Sequence, residues 1–180
     1  MLIDKFLPAY DVHSKHAIVV DAPASVVFQH VCHINLQHSP LIRLLFKLRG
    51  MPTSALSLEG LEKMHFARLA TIENEEILLG LVGRFWRLDG DLQHIDADSF
   101  VAFDKAGYAR AVWSFNLFEQ SDSKTLLTTE TRVQCTDEKS GKRFRRYWKL
   151  IGPFSGLTRT AMLKLIKKNA EQESSSLSNA

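Results

Sequence analysis

The spacing of apolar and polar positions changes period along the chain, and each change marks an element. His16-Ala17-Ile18-Val19-Val20-Asp21 is rich in β-branched residues and stops at Ala22-Pro23, which predicts a strand. Val26, Val27, Phe28, Val31 and Ile34 then recur at helical spacing, with Pro23 at the entrance of a short helix. A second short helix is expected over residues 41–48, where Leu41, Leu44, Leu45 and Leu48 keep the helical period between Ser39-Pro40 and Gly50. Strand-like segments follow at 66–72 and 76–85, around the hairpin connection Glu73-Asn74-Glu75. Residues 99–103 read as a short strand after the turn-like Asp96-Ala97-Asp98, and 108–119 and 125–135 as two longer ones. Connections this short favour an antiparallel meander.

The last element is helical. Thr136-Asp137-Glu138 offers a side-chain cap and acidic first-turn residues suited to the helix dipole. Phe144, Trp148, Ile151, Ser155, Thr158, Met162 and Ile166 fall on one stripe, with Tyr147, Leu150, Phe154, Leu157 and Leu165 beside it. Pro153 removes one backbone donor, so a kink is expected at Gly152 and Pro153. The order predicts an α+β domain over residues 1–172: an antiparallel sheet of six to seven strands, curled around a long C-terminal helix, with two short helices after the first strand. The polar tail 173–180 has nothing to pack and is expected to fray. Where a curved sheet and a helix meet only in part, the space between them is a cavity.

Composition narrows the picture only slightly. The 180 residues are 45% hydrophobic and 24% charged, ordinary values for one folded domain. Twenty-three Lys and Arg against 20 Asp and Glu leave +3, too mild to imply a nucleic-acid partner. The first residues lack the apolar run of a signal peptide, and residues 77–83 are too short to span a bilayer, so a cytoplasmic protein with reduced Cys32 and Cys135 is expected.

The opening strand, Ala22-Pro23 and helix, together with the long closing helix, resemble the helix-grip superfamily of START lipid-transfer domains, Bet v 1-type proteins and polyketide cyclases. Gly83-Arg84-Phe85-Trp86, Thr129-Glu130-Thr131-Arg132-Val133, Arg145-Arg146-Tyr147-Trp148 and Ile151-Gly152-Pro153-Phe154-Ser155-Gly156 are similar to stretches of a bacterial branch of it. The resemblance covers nearly the whole chain. It implies a fold and a ligand cavity, and no particular chemistry.

Candidate cavity residues come from a register argument. A loop of two or four residues between the long strands sets Trp113 opposite Arg132 and Phe115 opposite Glu130. Ala109, Ala111, Trp113, Phe115 and Leu117 form an apolar face that should point inward, carrying Glu130 and Arg132 with it. A five-residue loop or a bulge would turn the two charges the other way, to solvent. Trp86, Phe103, Tyr147 and Ile151 are further wall candidates, although aromatic side chains most often simply pack the core. Arg84, beside Phe85 and Trp86, is placed to cap an acidic group or to lie along the surface.

Other chemistries find little support. His30, His33 and His38 with Cys32 lack the carboxylate or further thiol that would complete a metal site. There is no nucleophile elbow, phosphate loop or dinucleotide fingerprint, so no cofactor is expected. Lys142, Arg143, Arg145, Arg146 and Lys149, with Lys164, Lys167 and Lys168, make a basic face that is either solvated or suited to transient contact with an anionic membrane surface. The leading expectation is binding or transport of a small hydrophobic or lipid-like ligand. The alternatives are a cyclase- or aromatase-like enzyme using the same cavity and a membrane-surface adaptor. The sequence does not fix the oligomeric state.

Overall fold

The computed structural model describes residues 1–34, 57, 60, 61, 63 and 65–178. The expected helix at 41–48, together with His38, lies outside the described residues. In chain order the elements are α1 (Leu2–Phe6), β1 (Val12–Val20), α2 (Ala24–Cys32), β2 (Ala67–Ile72), β3 (Glu76–Gly83), α3 (Ala97–Ala102), β4 (Ala109–Ser121), β5 (Lys124–Cys135) and α4 (Glu138–Ser178). The strands form one antiparallel sheet in the order β1-β5-β4-β3-β2. The α+β, helix-grip architecture is therefore present with five strands among the described residues, not six or seven.

One of the expected strands is a helix. Asp96 accepts from the backbone N–H of Ser99 while Ser99 Oγ accepts from the backbone N–H of Asp96, a reciprocal capping box that starts α3 where a strand was expected at 99–103. At the C-terminus α4 runs uninterrupted through Pro153 to Ser178, so the frayed tail expected from residue 173 is helical for six further residues. His30 Nε2 meets the Glu173 carboxylate at 2.9 Å, which ties that last stretch to α2. The start of α4 is capped as expected, with Asp137 Oδ1 accepting from the Ser140 N–H at 2.8 Å.

Both sheet faces are covered. On the inner face, α2 and α4 enclose Val20, Val27, Phe28, Ile77, Leu79, Phe115, Leu127, Met162, Leu163 and Ile166. On the outer face, α1 and α3 lay Ile3, Leu7 and Phe100 over Leu69, Leu78, Val82 and Val112. That double cover explains the unbroken apolar run of β3, every residue of which is buried. α1 is fastened by Glu76, a buried carboxylate that accepts from the Leu2 N–H at 2.8 Å and the Ile3 N–H at 3.4 Å.

Gly80 packs against the side chain of Leu69, which lies in the bulge between Arg68 and Ala70. A Cβ at residue 80 would stand 2.6 Å from Leu69 Cδ1 and 2.8 Å from Leu69 Cγ, and Leu69 is buried. Gly80→Ala is expected to lower unfolding free energy by ~1–3 kcal/mol through overpacking, read from the urea midpoint. An unchanged midpoint would show that Leu69 repacks freely.

Candidate functional site

The sequence pattern puts Glu130 and Arg132 on the inner face, and the register of the sheet overturns that expectation. Ser121 pairs with Lys124 as a tight loop requires, but a bulge between Glu119 and Ser121 shifts every pair beyond it, so Trp113 opposes Thr131 and Ser114 opposes Glu130. Glu130 and Arg132 consequently share the outer face with Ser114 and Val112. They do not reach solvent there, because α1 covers them. Arg132 Nε donates to Glu130 Oε1 at 2.7 Å and Nη1 to the Leu7 carbonyl at 3.2 Å, while Nη2 pairs with Asp4 at 2.9 Å.

The other candidates separate into three pairs, with Ile151 apart. Arg84 lies over the Tyr108 ring at 4.4 Å and pairs with Asp91 at 3.4 Å, and Phe103 packs on the same ring from the outer-face cluster. Trp86 and Tyr147 surround Phe144 near the start of α4, with Phe85 and Trp148. Trp113 and Phe115 face α4, but Phe115 is fully buried core. Ile151 is half-buried on α4. The structure thus brings together no more than pairs of the expected residues.

A different polar set gathers around Trp113. Along β1, Ser14, His16 and Ile18 alternate inward, and the register sets Ser14 beside Thr131 and His16 beside Thr129. Trp113 Nε1 donates to Thr129 Oγ1 at 2.7 Å, and that hydroxyl donates to the Ser114 carbonyl at 3.0 Å. From α4, the Arg159 guanidinium sits over the Trp113 ring at 3.5 Å. α4 passes close to β1 at Gly156, where a Cβ would stand in ordinary contact with His16 Cε1, at 3.5 Å. Burial, and then the positive charge of Arg159, hold the His16 imidazole below its ordinary pKa, which favours its neutral form. Ser14 Oγ lies 3.2 Å from His16 Nε2.

The inner face therefore changes character along α4. Beneath residues 162–170 it is an apolar core, whereas toward residues 152–159 the same face carries Ser14, His16, Thr129, Thr131 and Trp113, with Arg159 over the Trp113 ring. Two signals for this set were available in the sequence. Arg159 stands four residues after Ser155 and three before Met162, a cation beside the packing stripe. Ser14 and His16 continue the inward alternation of a strand that begins at Val12, earlier than the β-branched run alone suggested.

Elsewhere, two open surface depressions of about 720 and 740 Å3 follow Lys164, Lys168 and Ser175 on α4, and Leu2, Glu76 and Asn116 beside α1. Neither borders the Trp113 set. Cys32 and Cys135 are unpaired; burial first, then Asp11, pushes the Cys135 thiol up to about 12, which leaves it a poor nucleophile. Among the described residues, no helix is long and apolar enough to cross a membrane.

No protein-family model and no curated protein matches the chain. Among solved structures it is similar to a crystallised protein from Thermus thermophilus, at 9% identity and a TM-score of 0.36, over 91% of this chain and 99% of that one. It is similar also to the ZhuI aromatase/cyclase from a Streptomyces species, at 13% identity and a TM-score of 0.32, over 89% and 94%. A Thermobifida fusca protein solved in solution shares 12% identity at a TM-score of 0.36, over 89% and 93%.

Proposed function

We propose that the protein binds a small, mainly apolar ligand with an acidic or strongly polar end between the inner sheet face and the middle of α4. Trp113 and the apolar residues beside it supply the wall, and Arg159, with neutral His16, Ser14 and Thr131, meets the polar end. The observation that carries this reading is the Arg159 guanidinium over Trp113, opposite a strand face of hydroxyls and an imidazole. Its planar fork suits a carboxylate or phosphate, and hydrogen bonds to such a charged group are the stronger kind. The acid/base pair that an enzyme reading needs loses its geometry, because Glu130 and Arg132 stand on the outer face under α1.

The test is a matched pair of probes: a long-chain fatty acid and the corresponding alcohol, titrated against the wild type and Arg159→Leu. The substitution should weaken the acid ~10- to 100-fold, as expected for losing a charge-assisted hydrogen bond, and leave the alcohol within about twofold. Native mass spectrometry of the purified protein should also show a co-purifying amphiphile. Failure of the wild type to bind either probe, or equal losses for both, would exclude this site as a ligand-orienting one.

A further inference from the structure

We infer that the outward face of α4 between residues 143 and 168 is a docking face for an anionic lipid bilayer, on which the helix lies in the plane of the interface. The inference is independent of what the Trp113 set binds. Leu150, Phe154 and Leu157 stand at helical spacing on one stripe and are 69%, 37% and 54% exposed. Three large apolar side chains turned to water on adjoining turns form a patch rather than scattered exceptions. Buried Ser155, Met162 and Ile166 occupy the opposite side of the same helix, so the outward stripe is not a piece of core left uncovered.

The charge around the stripe names the occupant. Between Glu138 and Glu171 the chain contains no Asp or Glu. Lys142, Arg145 and Lys167 in this stretch are answered by Glu138, Asp11 and Asp21 with Glu171. Arg143, Arg146, Lys149, Lys164 and Lys168, all exposed, have no ion-pair partner among the described residues. Arg143 and Arg146 precede the apolar trio on the same side of the helix, Lys149 adjoins Leu150, and Lys164 and Lys168 follow. From Leu150 to Leu157 the helix rises about 10 Å. An apolar centre with cations at both ends matches an interfacial helix, whose apolar side chains enter the acyl boundary while the Lys and Arg heads meet phosphates. A nucleic acid would answer the cations and leave the leucines and phenylalanine without a partner.

Flotation with vesicles of phosphatidylcholine containing about one-third phosphatidylglycerol tests this directly. The wild type should bind these vesicles, weaken as salt rises, and bind pure phosphatidylcholine at least about tenfold less well. The variant Leu150→Ser, Phe154→Ser, Leu157→Ser should lose about tenfold or more, with unchanged circular dichroism and unchanged fatty-acid affinity. Arg146→Glu with Lys149→Glu should lose a similar factor without touching the apolar trio, so the two variants check each other. No binding by the wild type, or equal binding by all three proteins, overturns the proposal. So does a dimer in sedimentation that the serine variant dissolves, since the occupant of the stripe would then be a second copy.

Discussion

Arg132→Met is expected to destabilise the fold by ~3–5 kcal/mol, the usual consequence of breaking a buried ion pair from one side. The reason is the carboxylate it abandons. Glu130 is 2% exposed and its Oε1 receives Arg132 Nε at 2.7 Å, while its remaining neighbours are His13 at 3.1 Å and Lys15 at 3.8 Å. Both of these come from an edge strand and are more than a third exposed, so they solvate the carboxylate less well than the guanidinium does. Arg132 also holds α1, through the Leu7 carbonyl and Asp4. The hydrogen bond from Arg132 holds the Asp4 carboxyl below its ordinary pKa, so that contribution is present above the unfolded-state pKa and is lost as pH falls through the folded one. Urea unfolding at pH 7 should show the loss, and amide exchange should show α1 opening first. The double variant Glu130→Leu, Arg132→Met should recover much of the stability, because no charge is then stranded. A single-variant loss below about 0.5 kcal/mol would mean the pair contributes nothing.

The same pair shows what the sequence can and cannot reveal. Alternation identified the apolar face Ala109, Ala111, Trp113, Phe115 and Leu117, and its strand does turn that face to α4. The partner strand sits one residue away from the register that alternation predicts, because a single residue, Gln120, is squeezed into a bulge between Glu119 and Ser121. Side chains alternate with period two, so one extra residue moves a whole set to the other face. Even the turn itself, Ser121 opposite Lys124, was legible; the irregularity next to it left no mark in residue type. The assumption that this other face was wet failed for a separate reason. α1 is only five residues long, and little in Leu2-Ile3-Asp4-Lys5-Phe6 distinguishes a helix that lies on a sheet from a loose terminus. A signal was nevertheless present in the continuous apolar run of β3, which suits a strand covered on both sides. At α3, the Asp96–Ser99 cap outweighed the β-propensity of Phe100 and Val101.

Phe144→Ala should cost ~3–5 kcal/mol on the other face of the sheet, where Phe144 packs on Ala109 and Val133, as for other buried phenylalanines truncated in a core. Phe144 is 1% exposed, and the rings of Phe85, Trp86, Tyr147 and Trp148 surround it at centroid distances of 6.1, 6.5, 5.8 and 5.8 Å. Each such pair adds about 0.5–1.5 kcal/mol beyond buried area, though not additively. With Ala109 and Val133 beneath it, this side chain fixes the first turns of α4 to the sheet. Met162, Leu163, Ile166 and Ala170 fix the later turns through the inner core. The stretch between, from Gly152 to Arg159, is a span held from both ends above the hydroxyls of β1 and β5 and the ring of Trp113. Removing one support should therefore act unevenly. Amide protection is expected to fall most over residues 138–160 and least over 162–170, and fatty-acid affinity should fall in Phe144→Leu even where that variant is fully folded. Uniform loss of protection along α4, with ligand affinity unchanged, would show instead that the inner core alone positions the helix and that the polar face beneath its middle owes nothing to the aromatic clamp.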